Sequence, residues 1–231
     1  MNQQTIIPHS GLNEQTLGSY FVGENGDLLL QIKQAVAGVR ANPMLYLWGE
    51  HGSGKTHLLN ACCDLAIAHD RPYRYLSLED YSQLNGMSGK ISSSLLVCLD
   101  NLHLAEADSG LEIKLLTLYE QVKSSNGHLI AAGLTPLNEI RLGLPDLVSR
   151  LSAGGSFRLV PLCDSDKREA LEQRANLRGF SLEPAVLDFI MTHFDRDTTS
   201  LFSLLDRIDS ASLSRHRRVT IPFLRDFLGS N

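Results

Sequence analysis

The stretch Gly49-Glu50-His51-Gly52-Ser53-Gly54-Lys55-Thr56 constrains this chain more than any other. It has the spacing G-x-x-x-x-G-K-[ST]. Its glycines let the backbone curl so that successive N–H groups point inward at phosphate oxygens. A helix opening near Gly54 adds the positive end of its dipole at the same spot. Lys55 is placed to reach the outer phosphates, and the Thr56 hydroxyl can ligate Mg2+. His51 and His57 flank the loop, where filling the loop or the helix surface is a commoner role than catalysis. At average residue frequencies such a match arises by chance in a chain of this length with a probability of roughly one per cent. The neighbourhood lowers that figure, because an apolar run precedes the motif and a helical pattern follows it. The candidate ligand contacts are Gly49, Glu50, His51, Gly52, Ser53, Gly54, Lys55, Thr56 and His57, and the expected ligands are ATP or ADP with Mg2+.

Hydrophobic periodicity extends this into a fold class. Met44–Trp48, bounded by Pro43 and Gly49, predicts a buried strand, and Gly54 to His69 predicts a helix. Further strands are expected at Tyr73–Leu78, Leu95–Leu99, His128–Ala132 and Phe157–Val160. Helices are expected at 28–39 and 111–123. Strands alternating with helices imply a parallel sheet covered on both faces. After Pro161 the pattern becomes wholly helical, over 165–178, 184–194, 198–213 and 221–228. The expected organisation is a flexible N-terminal segment at 1–18, an α/β nucleotide-binding domain at 19–161 and a small helical domain at 162–231.

The strand Leu95-Leu96-Val97-Cys98-Leu99 ends in Asp100. A strand beside the one that feeds the loop would bring this carboxylate to the magnesium. Taken alone, an apolar run ending in Asp is a weak signal; paired with the loop it gains weight. The next residue is Asn101. An amide can orient a water but cannot accept its proton, so intrinsic hydrolysis is expected to be slow.

Composition narrows the function classes. The 231 residues carry a net charge of -5 with 43% hydrophobic and 20% charged residues, as in soluble globular proteins. That balance argues against a chain-wide basic surface for gripping duplex DNA. No stretch reads as a membrane span or a signal peptide, so a cytoplasmic location is expected. Cys62, Cys63, Cys98 and Cys163 form no C-x-x-C pair and read as buried reduced thiols.

Several segments together resemble the Hda family, bacterial AAA+ homologues of the replication initiator DnaA. They are the phosphate loop, Leu99-Asp100-Asn101, the stretch Leu142 to Leu151 (L-G-L-P-D-L-V-S-R-L), Leu177-Arg178-Gly179-Phe180 and Thr220-Ile221-Pro222-Phe223. The resemblance runs from about Tyr20 to Leu228. It implies an AAA+ P-loop NTPase fold with a helical lid, and a DnaA homologue without the helix-turn-helix domain, in keeping with the acidic composition. The implied function is negative regulation of replication initiation: hydrolysis of DnaA-bound ATP is promoted together with the sliding clamp. The implied partners are DnaA and the clamp, with self-association into a homo-oligomer. By residue type alone Arg150 is a surface arginine at a helix end. The resemblance makes it an arginine finger that reaches a neighbouring subunit's nucleotide.

Some positions depart from the family pattern. The clamp-binding peptide would correspond to Gln4-Thr5-Ile6-Ile7-Pro8-His9, which keeps Gln4, Ile7 and Pro8 but lacks two leucine anchors. The segment reads equally as such a peptide or as an ordinary terminus. The polar sensor expected after Leu129–Gly133 is Leu134, with Thr135 next to it. The arginine expected early in the third helix of the lid is Thr199, with Arg196 one turn away. These losses imply poor discrimination between ATP and ADP. Two other readings stay open: an independent AAA+ ATPase such as a helicase loader, and a nucleotide-gated scaffold.

Overall fold

A computed structural model describes residues 16–80, 84, 92–215 and 218–229. The N-terminal peptide around Gln4, Ile7 and Pro8 lies outside the described residues. The chain divides into two compact units, with the boundary between Pro161 and Leu162.

In the first unit the elements run α1 (Gly26–Val36), β1 (Met44–Trp48), α2 (Lys55–Ala68), β2 (Tyr73–Ser77), β3 (Leu96–Asp100), α3 (Ser109–Ser124), β4 (His128–Gly133), α4 (Pro145–Ser152) and β5 (Ser156–Arg158). The five strands are parallel, in the order β2-β3-β4-β1-β5. Pleating sends alternate residues to opposite faces. Met44 and Tyr46 of β1 join a core built with α3 and α4. Leu45 and Leu47 join a second core built with α1 and α2. The inner strands β3 and β4 are buried along their whole length, which accounts for their continuous apolar runs.

The structure corrects three expectations. The loop strand β1 and the acidic strand β3 are not adjacent, because β4 lies between them and pairs with both. Chain order does not carry sheet order, and a crossover can skip a position. Cys62, Cys63 and Cys98 are free and buried, but Cys163 is exposed, because it precedes α5 at a helix start where Asp166 accepts its backbone N–H. The last strand is three residues long rather than four and largely exposed.

At the N-terminal ends of the strands, away from the phosphate loop, one buried arginine ties several elements together. Arg71 donates to the carbonyls of Val36 at the end of α1 and of Ser94. It also donates to His128 Nδ1, at 2.9 Å. A guanidinium can only donate, so Nδ1 is the acceptor and Nε2–H donates to the Arg40 carbonyl, also at 2.9 Å. Burial, followed by the two nearby arginine charges, outweighs that backbone bond and lowers the His128 pKa.

The second unit contains α5 (Asp164–Leu177), α6 (Pro184–His193), α7 (Thr198–Arg215) and α8 (Ile221–Gly229). They enclose their own core, which includes Leu171, Val186, Ile190, Leu205, Ile208 and Phe223. Pro184 occupies the first turn of α6, where its missing N–H costs nothing. Asp197 caps α7 by accepting the Ser200 N–H, and the Ser200 side chain, followed by that backbone bond, holds its pKa below the ordinary value. Among the described residues, no helix is long and apolar enough to cross a membrane.

Candidate functional site

The loop leaves β1 at Gly49 and enters α2 at Lys55. Gly52 and Gly54 have φ of 74° and 93°, a region that side chains enter only with strain. Gly54 is constrained twice, because a Cβ there would stand 3.0 Å from the Tyr20 ring. Tyr20 packs over this turn, and Asn25 Nδ2 donates to its hydroxyl. Burial pushes the Tyr20 pKa up to about 12. The first turn of α2 has no acidic residue and no side-chain cap, so its amides remain available to an anion.

Lys55 is only 8% exposed. Its Nζ donates to the carbonyls of Gly49 and Glu50, both at 2.7 Å, and lies 3.4 Å from Ser53 Oγ. Burial lowers its pKa, and the nearby Asp100 opposes that shift. Thr56 Oγ1 donates to Asp100 Oδ2 at 2.7 Å. This pair joins the loop to the end of β3 across the intervening strand. Two hard oxygen donors in contact fit Mg2+, a small cation that retains several waters.

Asp100 is 2% exposed, and its carboxylate is surrounded by donors. Tyr75 OH donates to Oδ2 at 2.9 Å, and the Asn101 amide to Oδ1 at 2.8 Å. Burial, then the Asp100 charge, raise the Tyr75 pKa. Ser77 stands beside Asp100 in the ladder and accepts from Asn101 Nδ2 at 3.3 Å. Asn101 has φ 60° and ψ 38°, a conformation that Asn tolerates better than Glu.

The two loop histidines separate. His51 is exposed on the loop. His57 turns away from it, with Nε2 3.1 Å from the Thr16 carbonyl and 3.5 Å from Ser19 Oγ, and its ring edge-on to Tyr20. Trp48, last in β1 beside Gly49, carries the Arg158 guanidinium 5.5 Å from its ring centre. Beyond β4, the Thr135 carbonyl accepts from Tyr46 OH at 2.6 Å.

Arg150 lies in the last turn of α4 and pairs through Nε with Glu120 Oε1 of α3 at 3.0 Å. In the helical unit, Arg196 Nε donates to the Met191 carbonyl and Nη1 to Asp164 Oδ2, so it is committed to a bridge within that unit. Thr199 lines a surface pocket there together with Ser203 and Arg207.

Sequence reasoning missed Tyr75, Ser77, Glu112 and Glu120. Nothing in the local pattern marks them, because each meets its partner through sheet register or through packing of α3 on α4.

A family profile described as "Hda, lid domain" matches residues 164–228. Over those residues the chain resembles the Hda lid domain. Solved structures share its AAA+ fold. Domain III of the Thermotoga maritima replication initiation protein DnaA superposes with a TM-score of 0.75 at 18% identity, over 94% of this chain and 98% of that one. AMPPCP-bound DnaA from Aquifex aeolicus gives 0.69 at 20% identity, over 85% of this chain and 65% of that one. The Thermotoga maritima RuvB Holliday junction branch migration motor gives 0.67 at 16% identity, over 94% and 72%. The chain thus spans about two thirds of the length of that Aquifex DnaA. At these identities the superpositions establish the fold, and the family likeness rests on the lid profile over residues 164–228.

Proposed function

We propose that this chain holds ATP or ADP in the Gly49–Thr56 loop and supplies Arg150 to ATP bound by DnaA. Acting with the DNA-loaded sliding clamp, it converts DnaA to its ADP form and so restrains replication initiation. The observation that carries this reading is the Hda lid match over residues 164–228. The fold shared with DnaA supports it, as does an arginine whose side chain is 45% exposed at the end of a short helix.

Within this chain the roles divide as follows. Curled amides from Gly49 to Thr56 and the open first turn of α2 bind the phosphates. Lys55 exchanges its bonds to the Gly49 and Glu50 carbonyls for bonds to phosphate oxygens. Thr56 and Asp100 would hold Mg2+, which would supply positive charge to offset that of the phosphates. Tyr75 and the Asn101 amide keep the Asp100 carboxylate in one orientation. Asn101 orients water without taking its proton, so turnover in this chain's own site is slow. That counts against an independent ATPase motor.

In trans, the Arg150 guanidinium offers planar donors to charge developing on the transferred phosphoryl group. Such arginines contribute on the order of 10³-fold or more in rate. The test is phosphate release from ATP-loaded DnaA with clamp on DNA. Wild-type protein should raise turnover well above the DnaA rate. Arg150→Ala should return it to that rate while leaving this chain's own nucleotide binding intact. If wild-type protein leaves DnaA turnover unchanged, the reading fails.

A further inference from the structure

Helix α3 holds α4 at both of its ends. The N-cap residue of α4, Leu144, provides no side-chain cap. Glu112 of α3 does that work from outside: it is 1% exposed, and its two carboxylate oxygens accept the Gly143 and Leu144 N–H groups at 2.9 and 2.7 Å. About two turns further along α3, Glu120 meets Arg150 at the other end of α4. Leu115 and Leu118 between these points, and Val122 just beyond them, share one apolar core with Leu147 and Leu151. The backbone under Arg150 is therefore fixed to α3, and the freedom left is in its long side chain.

We infer that Glu120 is a positioning residue for Arg150. This rests on the trans role proposed for Arg150 above. The contact is made at Nε, the inner end of the guanidinium, and the two terminal nitrogens, which carry four of its five N–H donors, lie further out along the side chain. A carboxylate at Nε biases the side chain toward rotamers that project those donors away from α3.

The same pair could instead act as a latch that withholds Arg150, and magnitude decides between the two. The partners are 45% and 48% exposed, and a pair so hydrated shifts an equilibrium by no more than about fivefold. A bias of that size cannot hold an arginine back from a polyphosphate carrying several negative charges. It is enough to raise the fraction of side chains already aimed correctly.

The experiment compares wild type, Glu120→Gln, Glu120→Asp and Arg150→Ala in stimulated hydrolysis by ATP-loaded DnaA with clamp on DNA. NMR of the Arg150 Nε–H accompanies it. Glu120→Gln should lower the maximal rate two- to fivefold and leave the half-saturating concentration unchanged. It should also move the Arg150 Nε–H signal toward that of a free arginine without lowering the melting temperature, and Glu120→Asp should recover part of the rate. A maximal rate that stays the same or rises in Glu120→Gln, while Arg150→Ala is inactive, overturns this inference alone. A rate unaffected by Arg150→Ala overturns the trans role itself, whatever the Nε–H signal shows.

Discussion

The phosphate loop and the helix that carries Arg150 lie in the same α/β unit and are built in opposite ways. At the loop Lys55 and Asp100 are turned inward: Lys55 onto the Gly49 and Glu50 carbonyls, Asp100 onto Thr56, Tyr75 and the Asn101 backbone N–H. At α4 the backbone is anchored by the buried Glu112, while Arg150 itself stays half in water beside one hydrated carboxylate. A group that works on the chain's own ligand can be buried with its partners. A group that works on another molecule's ligand, the role proposed for Arg150, has to keep its charge at the surface.

That contrast breaks if the two cations prove interchangeable. Lys55→Ala should weaken nucleotide binding by roughly 10- to 150-fold, the worth of charge-assisted bonds to phosphate, whereas Arg150→Ala should leave it within a factor of two or so. Calorimetric titration with ADP checks both. Equal losses would mean that Arg150 serves this chain's own site.

The next effect sharpens the account of α4. Glu112→Ala removes the acceptor of two N–H groups at the start of α4 and should cost about 1–3 kcal/mol in unfolding free energy by denaturant titration. It should lower stimulated hydrolysis as well, because the mount of Arg150 loosens. A variant that keeps full stability would show that the apolar contacts of Leu147 and Leu151 suffice.

The smallest effect is at His128, remote in role from both sites. Its pKa is lowered in the folded chain, so the unfolded chain binds its proton first. Stability is therefore intact above the ordinary value near 6.5 and declines as pH falls below it, levelling off once the folded histidine also protonates. Unfolding free energies at pH 7.5, 6.5 and 5.5 should fall more steeply for wild type than for His128→Gln. Parallel slopes would remove the histidine from the acid response.

What was legible in the chain was what local chemistry sets. β1 was bounded by Pro43 and Gly49 and predicted residue for residue. The four helices of the second unit were expected within about two residues of their ends, because caps and apolar spacing mark such ends. The limits of α4 were not legible. It is one short helix whose N-terminal cap comes from Glu112, 31 and 32 positions earlier in the chain. Nor was the gap between β1 and β3 legible, since the insertion of β4 is a property of the sheet and not of any segment. Tyr75 reaches Asp100 for the same reason: the register of β2 against β3 brings together residues 25 apart.

Trp48 gives this arrangement a practical use. It is the sole tryptophan in the sequence, one residue before the phosphate loop, with Arg158 resting on its indole. Ultraviolet excitation selective for indole therefore interrogates a single spot at the mouth of the loop. Ligand occupancy can be followed there in real time, without attaching a dye or altering a residue.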